Sequence, residues 1–161
     1  MPKIEKDDFV HTLFDLLVET FESPSQSSSI YLDQKTGLFE TLNGISAEQA
    51  SAPIAQGATT IAAQVEHIRF YMDVIEQFMN GRTQKVDWQE SWQVRELSPK
   101  AWQTLQQDLR TAYENLTNNL KNVEIWGNDE ITDSLAAAIH TAYHLGAIRQ
   151  MVHVVQGLEL T

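Results

Sequence analysis

The chain contains no cysteine. That absence removes disulfide staples, thiolate nucleophiles and cysteine-ligated zinc together. Positive charge is also scarce. Eleven Lys plus Arg stand against 22 Asp plus Glu, a formal net charge of -11, and the positives are scattered singly. Such a balance repels phosphate backbones and anionic membrane surfaces, so nucleic acid is not an expected partner. No apolar run reaches the roughly 18 residues a membrane span needs, and no membrane association is expected. The start, MPKIEKDDFV, has charges of both signs and no apolar stretch before a cleavage-like site, unlike a secretory signal. A cytoplasmic protein is the expectation.

The composition is 42% hydrophobic and 20% charged, that of a globular chain. At 161 residues it reads as one domain over 1–161, long enough to bury about two-thirds of its unfolded surface. Apolar residues recur at helical spacing in four long segments. Residues 7–22 carry Val10, Leu13, Phe14, Leu17 and Phe21, with acids in the first turn and Pro24 and a serine run after it. A second stripe, Ile61, Val65, Ile68, Met72, Ile75 and Met79, ends at Asn80-Gly81. The third begins at Ser98-Pro99, an N-cap followed by proline at the first helical position, and continues through Trp102, Leu105, Leu109, Tyr113, Leu116, Leu120 and Val123. The fourth starts between Asp129 and Thr132 and reaches Gln156-Gly157. Between the first two, a short helix is expected near Thr36 to Leu42, and Ser46 with Gln49 spells a capping box stopped by Pro53. A connection of about 17 residues, Arg82 to Ser98, is long for a compact bundle. With no convincing strand, the fold class is all-α, a four-helix bundle.

Two of the chain's five histidines, His140 and His144, stand one helical turn apart in the apolar segment AAIHTAYHLGAIRQ. On a wheel they lie about 40° apart. The stripe drawn through them takes in Ala136, Ala137, Ala147, Ile148, Met151, Val154 and Val155 and puts both at its centre. Core histidines satisfied by carbonyls or carboxylates are one explanation. A divalent metal is the other, because neutral imidazole is its commonest ligand and one turn is a suitable spacing. Two ligands do not make a tight site. His67, in QVEHIRFYMD, lies about 120° from the centre of its helix's main stripe, on a flank with Gln64, Tyr71, Val74 and Phe78. His11 reads better as a boundary residue and His153 as a solvated one. Spacing favours His67 mildly.

The order of elements, the histidine in TIAAQVEHIRFYM, the DWQESW loop and the late H-x-x-x-H-x-G-x-x-R-Q pattern together resemble the DinB/YfiT-like superfamily over nearly the whole chain. The resemblance implies an up-down-down-up four-helix bundle with a divalent metal on three histidines. Carried over position by position, those ligands are His67, His140 and His144. It further implies a homodimer, and a small-molecule substrate handled by hydrolysis or by transfer from a low-molecular-weight thiol. Zinc or nickel is the expected metal. A non-catalytic metal-binding or small-ligand-binding bundle is the alternative.

Three imidazoles leave a metal its full double charge and an open position, which suits acidification of a bound water or thiol. T-A-Y between the histidines offers no glutamate of the H-E-x-x-H kind, and Glu66 and Asp73 fall on the outer face of their helix. Among the neighbours, Gly146 suggests close helix packing beside the site, since glycine inside a helix costs about 1 kcal/mol relative to alanine. Tyr143 reads as a core aromatic, and Arg149 as the partner of an acid or of a subunit. Gln150 is a possible donor to a ligand histidine. Trp88 and Trp92 either line a pocket over the metal or plug the open end of the bundle.

Overall fold

The computed structural model describes residues 5–24 and 29–157. Most of the serine run, and the first four residues of the start that was compared with a secretory signal, lie outside them. Among the described residues there are six α-helices and no strand: α1 Lys6–Glu22, α2 Leu38–Leu42, α3 Ala47–Ser51, α4 Ile61–Met79, α5 Pro99–Lys121 and α6 Asn128–Gln156. Four are long, as the periodicity requires. A single 3-10 turn, Glu90–Trp92, interrupts the long α4–α5 connection. Among the described residues, no helix is long and apolar enough to cross a membrane.

Local chemistry sets the ends of these helices. Ser46 accepts from the backbone of Gln49 while the Gln49 side chain returns to the Ser46 N–H, the expected capping box. Thr60 caps α4 and Ser98 caps α5, with Pro99 following it. Gly157, in the left-handed region, closes α6. The helix foreseen from Thr36 starts later, at Leu38, because Gly37 packs against Ser23. A Cβ at Gly37 would collide with the Ser23 backbone, and its N–H donates to Ser23 Oγ at 2.8 Å.

One core joins the long helices. Leu13, Leu17 and Phe21 of α1, Ile61, Val65, Ile68 and Met72 of α4, Leu109 and Leu116 of α5, and Leu145 and Ile148 of α6 are all essentially inaccessible. α4 is central, packing on both α5 and α6, and α6 also packs on α1. Phe21 stacks on Tyr113 with centroids 4.4 Å apart, and Tyr113 donates to Glu22 at 2.8 Å. Trp102 Nε1 donates to the Ile45 carbonyl at 2.7 Å, tying α5 to the α2–α3 corner. These anchors hold the helix order on which the site depends.

The segment after the serine run is fixed by a buried carboxylate. Glu19 accepts from the backbone N–H groups of Ile30, Tyr31 and Leu32 at 2.7, 2.7 and 2.5 Å. Burial pushes its carboxyl up, but the three donors outweigh that and hold it below the ordinary carboxylate value. Its stabilising effect is therefore complete above the unfolded-state carboxylate range, near pH 4.5, and is lost as pH falls through the folded value. Glu19→Gln keeps the shape but aims an amide N–H₂ at donors. We expect it to lower unfolding free energy by about 2 kcal/mol, read from urea midpoints at pH 7, with the deficit shrinking toward pH 3. Equal midpoints at pH 7 would show that the contact contributes nothing.

Candidate metal centre

Two helices and one turn bring the site together. The α4 flank that carries Gln64, His67 and Tyr71 faces α6, while the loop folds back so that its 3-10 turn covers His67. His67 and His144 are buried and His140 is half-buried. Their metal-ligating nitrogens all lie within 4.8 Å of one another. His67 Nε2 and His144 Nε2 each stand 3.1 Å from His140 Nε2. The three residues picked out by sequence are thus brought to one point.

Proton positions follow from the outer nitrogens. Ser91 Oγ donates to the Trp88 carbonyl at 2.7 Å, so it accepts from His67 Nδ1–H, also at 2.7 Å. Gln64 Oε1 can only accept, so His144 Nδ1 carries a proton and donates to it at 2.5 Å. Both rings are neutral, because burial lowers their proton affinity. His67 is lowered by burial alone, and His144 falls to about 4 through burial and then the charge His67 would carry. Each Nε2 is therefore a bare lone pair. His140 lies between them and is lowered to about 3, by burial first and then by His144 and His67.

His140 cannot satisfy both neighbours. A proton on its Nε2 reaches one of them, whereas a proton on Nδ1 lies buried without a partner. With the proton on Nδ1 the His140 lone pair faces one on each side at 3.1 Å, and with it on Nε2 one neighbour's lone pair is left without a donor; a low-dielectric interior penalises both. A cation at the common point removes the conflict. Metal–nitrogen bonds near 2.0–2.1 Å at 90–110° set ligand nitrogens about 2.9–3.4 Å apart, and the two 3.1 Å spacings at His140 fall in that range. The all-imidazole donor set suits borderline transition metals rather than magnesium or calcium. The buried three-histidine group can hold a metal ion.

Aromatic rings enclose the site. Trp92 stacks on His67 at 4.0 Å and 22°, and Tyr71 stacks on His140 at 3.8 Å and 17°. Tyr143 meets His144 edge-on at 5.0 Å. Trp88 is partly exposed beside Tyr71 and Phe70. Both loop tryptophans thus stand on the histidine side. A depression of about 610 Å³ lined by Asp73, Gln77, Asn80 and Arg82 contains none of these groups.

Several sequence expectations change. The centre of the buried α6 stripe runs through Ser134, Thr141 and Ile148, so His144 lies to one side of it and His140 at its edge. Tyr143 is 74% exposed rather than a core aromatic, and Val154 is 55% exposed. Gly146 has open space beside it, not a packed helix. Gln150 is exposed; the amide that accepts from a histidine of the cluster is Gln64. His153 is half-buried with Nδ1 enclosed and unpartnered, not solvated. Glu66 and Asp73 stay outside the histidine group, as expected, and both bind Arg69. His11 is exposed and pairs with Asp15 at 3.5 Å.

Gln64 and Ser91 are the hydrogen-bond partners of the histidines that the sequence reading missed. Gln64 carried a signal, a polar residue one turn before His67 on an otherwise apolar flank. Ser91 carried none, since its role depends on how the loop folds back. Neither family models, curated proteins nor solved structures match this chain.

Two outcomes are expected. In titrations with zinc, His67→Ala, His140→Ala and His144→Ala should each abolish tight binding with folding retained. His153→Ala should bind normally, while Ser91→Ala and Gln64→Ala weaken binding about 10–100-fold. Normal binding by His144→Ala would overturn the assignment. The second concerns metal-free protein. The imidazoles bind protons more weakly folded than unfolded, so their stabilising effect is complete above the ordinary histidine value of 6.5 and declines as pH falls toward 3–4. Thermal melts of wild type should show this slope between pH 6.5 and 4, and the His140→Ala/His144→Ala variant should show much less of it.

Proposed function

We propose that this chain is a metal-dependent enzyme built on a four-helix bundle, with His67, His140 and His144 as ligands of a divalent transition metal, zinc or nickel, and that it transfers a low-molecular-weight thiol to a small electrophilic substrate. The observation that carries this reading is the convergence of three neutral Nε2 lone pairs, two of them fixed by partners on the far side of the ring. The resemblance to the DinB/YfiT-like superfamily, with its up-down-down-up bundle, supports it on the motif residues named above.

When bound, the metal would supply Lewis acidity that lowers the pKa of a thiol or water offered to its open position. The chain's own residues do the positioning. Ser91 and Gln64 fix the ring orientation of His67 and His144. Trp92 and Tyr71 hold His67 and His140 by stacking and limit water around the rings. Among the described residues, no carboxylate joins the three-histidine group to serve as a general base. A thiol, with an ordinary pKa near 8.5, needs far less help to lose its proton than water at 15.7, and that difference favours thiol transfer.

Hydrolysis is the second reading, and one observation favours it. Asp133 shares the α6 face of His140 and lies close enough for its charge to raise the Tyr71 phenol, after burial. Its own carboxyl is raised, by burial first and then by Asp129 and Glu130, toward the range useful for proton transfer.

The test uses zinc- or nickel-loaded protein with 1-chloro-2,4-dinitrobenzene plus 2-mercaptoethanol, beside p-nitrophenyl acetate without thiol. We expect chloride displacement by the thiol, the proton passing to solvent, at a rate lost in His140→Ala/His144→Ala. Ester cleavage without thiol, lost in Asp133→Asn, would establish the hydrolase instead. A loaded protein inert in both assays would favour a non-catalytic binding module.

A further inference from the structure

Of the chain's tyrosines, three have an evident place for the phenol. Tyr113 donates to Glu22 at 2.8 Å, Tyr31 shares a 2.6 Å hydrogen bond with Thr20, and Tyr143 is open to water. Tyr71 is half-buried, a setting in which a tyrosine hydroxyl ordinarily finds a partner. It has none among the described residues. Nor is its oxygen enclosed, since the enclosed polar atoms without a partner there are both histidine nitrogens. The hydroxyl is therefore offered outward, to a solute. Its ring is held by stacking on His140 at 3.8 Å and 17°, with Trp88 against it at 5.5 Å. His67 and His144 are buried against Trp92, Ser91 and Gln64, so the open side of the cluster is the side of His140. A molecule approaching an ion on the three Nε2 atoms enters beside Tyr71.

Given the thiol-transfer reading above, we propose that Tyr71 is a catalytic residue whose O–H donates to the oxygen of an α,β-unsaturated carbonyl substrate. A donor fixed by stacking before the substrate arrives needs no reorganisation as charge develops, and a poorly hydrated site strengthens it. Tyr71 remains an O–H donor at neutral pH, since burial and then the Asp133 charge raise the phenol. Addition is the chemistry that such a donor serves best. Among the described residues no carboxylate joins the histidine group to protonate a leaving group, and addition to a conjugated carbonyl expels none. The thiol gives its proton to solvent. Sulfur then bonds to the β-carbon, the C=C π pair becomes the bond between the α-carbon and the carbonyl carbon, and the C=O π pair moves to oxygen, where the Tyr71 O–H meets it. A proton from solvent on the α-carbon completes a thioether, with nothing oxidised or reduced. An alkyl halide sends its charge to the departing halide instead and gains little from this hydroxyl.

The test compares zinc-loaded wild type with Tyr71→Phe, which keeps the stacked ring and loses only the hydroxyl. Each is given 2-mercaptoethanol with 4-phenyl-3-buten-2-one or, separately, with benzyl chloride. For the unsaturated ketone, kcat/KM should fall about 100-fold in the variant, and for benzyl chloride it should hardly change. Equal losses on both substrates, or no loss on the ketone, overturn the role of Tyr71 and leave thiol transfer standing. A wild type inert toward both overturns thiol transfer and, with it, the unsaturated substrate. The hydroxyl's part as a donor is then decided without turnover. Saturated 4-phenyl-2-butanone, labelled with carbon-13 at the carbonyl, is added to metal-free and zinc-loaded protein and followed by NMR. A downfield carbonyl shift in metal-free wild type, absent in Tyr71→Phe, is the expected sign of donation, and the metal-free sample excludes the ion as its source. The same shift in both proteins, or no binding, overturns the donor.

Discussion

Three uncharged imidazoles cannot point their lone pairs at one buried spot without something to receive them. That constraint organises the α4–α6 contact. His67 and His144 are held in the same tautomer by Ser91 and Gln64, and this leaves His140 with two acceptors to satisfy and one proton to do it with. Hydrogen bonding alone has no solution for the trio, whereas a divalent cation would receive all three Nε2 lone pairs and leave only His140 Nδ1–H without a partner. Burial reinforces the choice by keeping all three rings neutral, and so ready to ligate, at ordinary pH.

The same constraint reaches outward. Ser91 links His67 to the Trp88 carbonyl, so ring orientation on α4 depends on the conformation of the α4–α5 loop. Trp92 adds a stacked face to that link. The loop is therefore a working part of the site rather than a spacer, which accounts for its length in a compact helical chain. On the other side, the hydrogen bond from His144 to Gln64 ties two long helices together at one depth. Core packing around Ile68, Met72 and Ile148 fixes that depth to side-chain precision.

Where the wheel of α6 misled, its composition was the cause. A wheel locates the buried face by contrast between apolar and polar sides, and α6 offers little contrast, with Ile139, Tyr143 and Val154 on its open face. His140 and His144 were taken for the centre of the stripe, when Thr141 and Ile148 hold it. The error placed Tyr143 inside and gave Gly146 a packed neighbour. α5, with its sharply divided faces, raised no such difficulty: Trp102, Leu105, Leu109, Tyr113, Leu116 and Leu120 are all buried as spaced.

The amino-acid sequence alone determined the four long helices, the caps at Ser46 of α3, Ser98 of α5 and Gly157 of α6, and the His140–His144 pair, to which the family resemblance added His67. These depend on spacing within one element, on local side-chain-to-backbone bonds, and on residue types with few other reasons to sit in apolar company. The tertiary structure alone decided which nitrogen of each ring faces inward, that Gln64 rather than Gln150 supports His144, and that Ser91 supports His67. It also decided which face of α6 stays open. These outcomes depend on rotation and depth of one element against another, and packing between residues distant in the chain sets both.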